Sequence, residues 1–500
     1  MQSRPVAHLV RLLGAGLSVP IERLIAETAL SHRSVTDVLA RLEPWLESGP
    51  RGHRLREPAS PWSTTVRGRV ETTHRTLAEL TAGAPGRRKP LDHVAATVAT
   101  RLRRARYLAG HYDLDGATIL CLGDHDLTSL ALALIAPRCR IAVADVDDAL
   151  LEHVDRSAAR LGAAIACRFA DLRLGLPADL AGAADLVFTD PPYTPDGVRL
   201  FATRGCEALR RDERSRLLLC YGHGERQPAL GLKVQAVLHS LHLLVEEMWP
   251  RFNRYEGAQA IGGASALYVT RPLAATWRAI ERAPAAGDRI YTHGPMAVEA
   301  GERPLPEALA RELPDPLPAA ELWRLSERHA AARPERRPRL PEAAAVDLTL
   351  APALAPRLVL AHRGRRLRLA LPAGAAAALV APDHWQGRLL GASHRLRLVA
   401  REGALAVVEA ERRDDTVAGA ELLARRLAEH PTAAAASSLR EGLIAAGAAR
   451  TKNEARAMLA ALPQLEARPT DLPVHLLREV AEALPALAGH SPGAGADPQA

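Results

Sequence analysis

Five short apolar runs set the strongest limit on how this chain can fold: Ala117–Leu122, Ile141–Asp145, Ile165–Phe169, Asp185–Thr189 and Arg216–Tyr221. Between them lie segments of helical spacing at Thr128–Ile135, Asp148–Leu161, Val198–Leu209 and Lys233–Leu241. Short continuous apolar runs separated by helices read as buried parallel strands with crossover helices. Parallel strands need such crossovers, and helices then cover both faces of the sheet. The run Ala264–Thr270 reads as an antiparallel strand at the edge. In open sheets of this kind, ligands bind where loops leave the carboxyl ends of the strands.

Two of those loops are acidic. Gly123-Asp124-His125-Asp126-Leu127 follows the first run, and Asp190-Pro191-Pro192-Tyr193-Thr194 follows the fourth. The fold class is thus α/β, a Rossmann-like doubly wound sheet over residues 111–275, in the style of S-adenosylmethionine-dependent transferases. Residues 1–75 read as a winged-helix-like domain: helical spacing at Val6–Leu13 and Ile21–Ala26, a third helix capped by Ser34 and running to Leu42, then a turn at Ser48–Gly52 between short strands. DNA binding by Ser34–Leu42 is one expectation. A packing or dimerisation module is preferred, because Arg41 is the one basic residue within that helix. Residues 76–110 form a linker, including Gly83–Pro90, and a helix leading into the core. Residues 276–345 read as a helical Pro/Ala-rich linker and 346–490 as a small α+β domain. In the latter, a β-meander over 346–412 precedes helices, with Ser438 a candidate cap. Residues 491–500 read as a disordered tail.

Charge divides along the chain. Residues 1–110 carry 18 Arg and Lys against 9 Asp and Glu, whereas residues 111–275 carry 17 against 21. Lysine occurs only at 89, 233 and 452, so the overall excess of +8 reflects an arginine-rich composition more than a nucleic-acid partner. An acidic middle attracts cations and repels phosphates. The five cysteines all lie between 121 and 220 without a CxxC pair, as expected of free thiols in a reducing compartment. No apolar run approaches a membrane span and no secretory layout opens the chain, so a cytoplasmic protein is expected. The histidines show no metal-ligand spacing, and no metal is expected.

The chemistry follows from the two loops. Where a nucleotide-binding fold usually has glycines, only Gly123 is present, beside Asp124 and Asp126. Two anions there disfavour a donor bearing its own carboxylate and suit one ending in an ammonium. A single acid–ammonium contact at about 4 Å is worth roughly 4 kcal/mol before desolvation, at an effective dielectric near 20. Asp126 also fits as a cap of the next helix, and capping and ligand binding can coexist. Asp145, ending the second strand, is placed for ribose hydroxyls, and Asp171, after the third, for an adenine amino group. In the second loop Asp190 can take or relay a proton from an amine, and the Pro191 carbonyl can accept a hydrogen from it. Two prolines stiffen that loop, and Tyr193 can stack on a base or an ammonium. His223 and Glu225, after the fifth strand, and Tyr255 and Glu256, in a lid-like segment Phe252–Gly263, are the candidates for holding the acceptor.

At these residues the chain resembles the branched-chain polyamine synthases, or bis-aminopropyl spermidine synthases. Gly123–Leu127 is similar to the family's Gly-Asp-Asp-Asp-Leu loop, and Asp190–Thr194 to its Asp-Pro-Pro segment, whose Asp is held to be catalytic. The resemblance covers roughly residues 5–275. It implies decarboxylated S-adenosylmethionine as donor, a polyamine such as spermidine as acceptor, a branched product and released methylthioadenosine. Two positions depart from the pattern: His125 replaces the middle acid, and Ala266 stands where relatives often carry Asp. Two other readings remain open. One is an amine methyl- or aminocarboxypropyltransferase using intact S-adenosylmethionine. The other is a winged-helix regulator with a degenerate transferase domain as its sensor.

Overall fold

The computed structural model describes residues 4–14, 17–28, 30–56, 66–257, 261–282, 289–301 and 304–489. The expected tail, 491–500, lies outside them. By contacts the chain falls into two compact units. One comprises Met1–Val143, His153–Ile165 and Leu180–Pro284; the other comprises Ala144–Glu152, Ala166–Asp179 and Ala285–Ala500.

The first unit opens with three helices, α1 (Arg4–Leu13), α2 (Ile21–Thr28) and α3 (His32–Leu42). A two-stranded antiparallel hairpin follows, β1 (Leu46–Gly49) and β2 (Gly52–Leu55). Leu9, Leu13, Leu24, Val35 and Leu46 bury the apolar faces of these elements against one another. The cap of α3 is Ser31 rather than Ser34: its hydroxyl accepts the Ser34 amide at 3.1 Å, placing the helix start one turn earlier. Two helices, α4 (Val66–Ala82) and α5 (Val98–His111), lead to the sheet.

The sheet elements follow the expected alternation: β3 (Thr118–Leu122), α6 (Thr128–Ile135), β4 (Arg140–Asp145), α7 (Asp148–Leu161), β5 (Ile165–Phe169), β6 (Leu186–Thr189), α8 (Pro195–Ala208), β7 (Arg216–Tyr221) and α9 (Pro228–Ser240). Then come β8 (Leu243–Arg254), β9 (Ala264–Pro272) and α10 (Ala274–Glu281). The strand order is β5-β4-β3-β6-β7-β9-β8. β3, β6 and β7 pair in parallel, and β9 pairs antiparallel with both β7 and β8. The strand expected at the edge, β9, is therefore interior. The edge belongs to β8, which includes the first part of the supposed lid, Phe252–Arg254. Leu244, Val245, Met248 and Trp249 are exposed on it, so it has the mixed pattern of an edge rather than the apolar run of a central strand.

The second unit continues with α11 (Glu307–Ala310), α12 (Ala319–Ala331), β10 (Ala343–Asp347), α13 (Ala355–Ala361), β11 (Arg366–Pro372), α14 (Ala373–Val380), α15 (Trp385–Gly391), β12 (His394–Glu402) and β13 (Leu405–Arg412). Helices α16 (Gly419–Glu429), α17 (Ala435–Ala445), α18 (Lys452–Leu459) and α19 (Val474–Ala488) end it. Its sheet runs β10-β11-β13-β12, with β10 and β11 parallel. This is not the expected meander, because a parallel pair requires a crossover, and α13 provides it. Ser438 lies buried within α17 rather than at its start.

Arg357 on α13 organises this unit. Its side chain is fully buried, with the guanidinium 3.4 Å from the centre of the Phe169 ring and an Nη2 contact of 2.8 Å to Asp148 at the start of α7. It also donates to the carbonyls of Ala353 at 2.8 Å and Leu472 at 2.9 Å. Asp148 in turn accepts the Val474 amide at 2.8 Å. Among the described residues no helix is long and apolar enough to cross a membrane, and all five cysteines are free and buried. Arg357→Ala leaves the part-buried Asp148 carboxylate without its cation and removes a fully buried side chain, and the expected loss is about 3 kcal/mol of unfolding free energy, read from the shift in urea midpoint.

Candidate active site

Both acidic loops start at the same level of the sheet. Leu122 and Thr189 are register partners at the ends of β3 and β6, and the Thr189 hydroxyl donates to the Leu122 carbonyl at 2.8 Å. Gly123 then takes φ +71, and a Cβ there would stand 3.0 Å from the Phe201 ring, so the turn requires glycine. The chain closes a tight turn through the Leu127 amide to the Asp124 carbonyl at 2.7 Å, with Leu127 itself at φ 57. This winding exchanges the expected roles of the two acids. Asp124 turns onto α6, where its carboxylate accepts the Ser129 amide at 3.3 Å and the Ser129 hydroxyl. Asp126 caps nothing: the residue at the cap position of α6 is Leu127, which makes no side-chain bond there.

Asp126 points instead to a buried arginine that sequence reading had not singled out. Arg104 on α5 donates from Nη1 to Asp126 at 2.7 Å and from Nη2 to Asp190 at 2.6 Å. Its Nε donates to the Asn253 side-chain oxygen at 2.8 Å, and its guanidinium lies 5.1 Å from the centre of the Phe188 ring. The Ala96 amide holds the other oxygen of Asp126 at 2.5 Å. Thr97 caps α5 through the Thr100 amide, which sets the helix and hence the reach of Arg104.

Asp190 receives two phenols besides the guanidinium. Tyr193 donates to Oδ1 at 3.0 Å and Tyr255 to Oδ2 at 2.7 Å, and the two hydroxyls lie 2.9 Å apart. The Tyr255 hydroxyl also meets the Ser265 hydroxyl at 2.7 Å, and Asn253 donates to that serine at 2.9 Å. Pro191 is buried in the same loop, whose end is fixed by Thr194: its hydroxyl caps α8 through the Gly197 amide at 2.9 Å, with Pro195 in the first turn.

Burial raises the Asp190 carboxyl above its ordinary value, although Arg104 pulls the other way. Asp126 is held below the usual range: burial opposes its charge, but His125, Arg104 and the Ala96 amide outweigh that cost. A proton arriving at this pair therefore goes to Asp190. Burial and the neighbouring Asp190 push the Tyr193 and Tyr255 hydroxyls well up, so both remain donors. Beside them His93 stacks on His125, ring centres 4.7 Å apart, and His93 is pushed down to about 3 by burial and then by His125 and Arg88.

Glu256 is exposed and paired with Arg87 at 2.5 Å. His223 and Glu225 are exposed, and His223 packs over Gly231 of α9. In the second unit, Asp145 accepts the Asp147 amide at 2.8 Å. Asp171 there is gripped by Arg173, through Nε at 2.9 Å and Nη2 at 2.5 Å. Residues 258–260 of the supposed lid lie outside the described residues. Arg104, Asn253 and Ser265 were missed because each looks ordinary alone. One signal was available: Arg101, Arg104, Ala105 and Leu108 share a helical face at i, i+3, i+4, i+7 spacing, so two arginines sit on an apolar stripe.

Arg104→Met leaves two buried carboxylates without their cation, and the expected loss is about 3–5 kcal/mol at neutral pH. Asp126 has a folded pKa below its unfolded one, so its contribution is present above about pH 4 and is lost as the pH falls below that. The stability gap between the variant and the wild type therefore narrows in acid, as urea titrations at several pH values would read.

Residues 73–278 match the family model described as the branched-chain polyamine synthase A C-terminal domain. An uncharacterized protein of Methanocaldococcus jannaschii is 36% identical over 190 residues, covering 37% of this chain and 47% of that protein. The N(4)-bis(aminopropyl)spermidine synthase of Thermococcus kodakarensis is 34% identical over 133 residues, covering 26% of this chain and 38% of that protein. Its namesake from Thermus thermophilus is 29% identical over 198 residues, covering 39% and 54%. The chain thus spans about half, or less, of the length of these curated relatives. The solved branched-chain polyamine synthase from Thermus thermophilus, in complex with N4-aminopropylspermidine and 5'-methylthioadenosine, is 22% identical with a TM-score of 0.37, covering 59% of this chain and 91% of that one. The matched residues, 73–278, carry both acidic loops and Arg104.

Proposed function

We propose that this protein transfers an aminopropyl group from decarboxylated S-adenosylmethionine to an amine nitrogen of a polyamine such as spermidine, giving a branched polyamine. The observation that carries this reading is the charge at the ends of β3 and β6. Arg104 binds Asp126 and Asp190, Asp124 is buried in the same loop as Asp126, and Arg101 is a second buried guanidinium on which Asp126 and Asp124 act, so three carboxylates outnumber two guanidiniums. A buried negative centre favours a donor whose tail ends in an ammonium and opposes one that brings its own carboxylate. The name of the curated relatives, N(4)-bis(aminopropyl)spermidine synthase, supports the same reaction.

The amine nitrogen attacks the propyl carbon bonded to the sulfonium. The carbon–sulfur bond breaks with its electrons going to sulfur, and methylthioadenosine leaves. The alkylated nitrogen loses one proton, for which Asp190 is the acceptor. A carboxylate has about four lone-pair positions. Three on Asp190 are taken by Arg104, Tyr193 and Tyr255, which leaves one on Oδ1 for a hydrogen of the amine. Arg104 and the two phenols fix the direction of that lone pair, and orientation is the main contribution such a displacement can receive.

Asp190→Asn preserves the shape of the site but removes the proton acceptor. The expected result is a loss of about 100-fold or more in transfer with donor affinity nearly unchanged, measured by mass spectrometry of products and by calorimetry. Product analysis with the decarboxylated and the intact donor in parallel tests the donor assignment, and consumption of the intact donor alone would refute it. His125→Asp adds a carboxylate beside Asp126 and is expected to tighten the decarboxylated donor by severalfold. An unchanged dissociation constant would take His125 out of donor binding.

A further inference from the structure

The Tyr255–Ser265 end of the Asp190 network opens into a cleft of about 980 Å³ within the first unit. That volume suits a whole small-molecule substrate. Ser265 lines it, and so do Glu225, Arg226, Arg251 and Arg254, while Ala266 brings no charge. One carboxylate thus faces three guanidiniums, and none of the three makes an ion pair among the described residues. The backbone is bent to bring one of them there. The β8–β9 register shifts between Trp249 and Asn253, and within that bulge Arg251 sits at φ 53, a conformation that costs a non-glycine residue energy. Bulges beside active sites commonly re-aim a side chain.

The charge of this cleft is opposite to that of the centre it adjoins. A fully cationic polyamine gains from the carboxylates around Asp190 and is repelled by the arginines beyond Ser265. We infer that the preferred acceptor is an aliphatic amine carrying an acidic group, carboxylate or phosphoryl, at the end remote from the reacting nitrogen. Guanidinium groups pair with both kinds of oxyanion in a bidentate fork. The inference rests on the aminopropyl-transfer reading for the donor and the reacting nitrogen, and it changes that reading's acceptor from a fully cationic polyamine to an amine of mixed charge.

The test is calorimetric titration of the full chain with three probes of equal length. They are spermidine, N-(3-aminopropyl)-4-aminobutyrate, in which a carboxylate replaces one terminal aminomethyl group, and the analogue with a phosphonate at that position. At least one acidic probe is expected to bind about tenfold or more tightly than spermidine, a difference of about 1.4 kcal/mol. The stronger of the two identifies the oxyanion. The combined variant Arg226→Gln, Arg251→Gln, Arg254→Gln is expected to remove the preference, and the three exposed positions make a folding failure a poor explanation of that loss. Spermidine binding as tightly as both acidic probes, no binding of either acidic probe, or a preference that survives in the triple variant would each overturn the inference. Turnover with decarboxylated S-adenosylmethionine is measured separately. Failure to alkylate any of the three probes refutes the proposed function, while the binding preference still reports on the cleft.

Discussion

One guanidinium shared by two carboxylates sets the character of this site. Arg104 lies between Asp126 and Asp190 at hydrogen-bonding distance from both, with almost no exposure of any of the three side chains. Without the cation, two anions that close could not both remain ionised away from water. With it, one proton site is left poised: Asp126 stays charged, and Asp190 becomes the more basic partner. The same bonds join α5, the loop after β3 and the loop after β6, so the electrostatics of the centre and its geometry have a common origin. Asn253 extends this to β8, because it holds Arg104 on one side and Ser265 on the other.

The surroundings of the centre divide by charge. The strand ends hold carboxylates in excess, whereas the cleft beyond Ser265 holds arginines in excess. Average composition hides this, because residues 111–275 are acidic as a whole. A substrate able to use both halves carries charge of both signs along its length. The second unit has its own buried arginine, Arg357, which clasps Asp148 directly after the Asp145–Asp147 turn. Residues far along the chain thereby fix a turn that the order of strands already made interesting.

Much of the architecture was legible in the sequence, because its signals are local. Apolar runs of strand length and helical spacing between them placed β3–β7 and α6–α9 to within a few residues. Gly123 and the two prolines after Asp190 marked the loops for the same reason: restricted backbones show in residue type. The C-terminal sheet was misread as a meander because alternation reports that strands exist, and not which neighbour each takes or in which direction. Strand β8 went unrecognised because an edge strand with a bulge loses the alternation that identifies it.

What the sequence by itself determined is the pair of acidic loops at the ends of two strands. What only the tertiary structure decided is how those acids are used. Asp124 rather than Asp126 serves α6, Arg104 joins Asp126 to Asp190, and Tyr255 reaches Asp190 from 65 residues away. The physical reason is that a buried charge needs a partner in space, and chain order carries no record of which distant side chain the packing will bring to it.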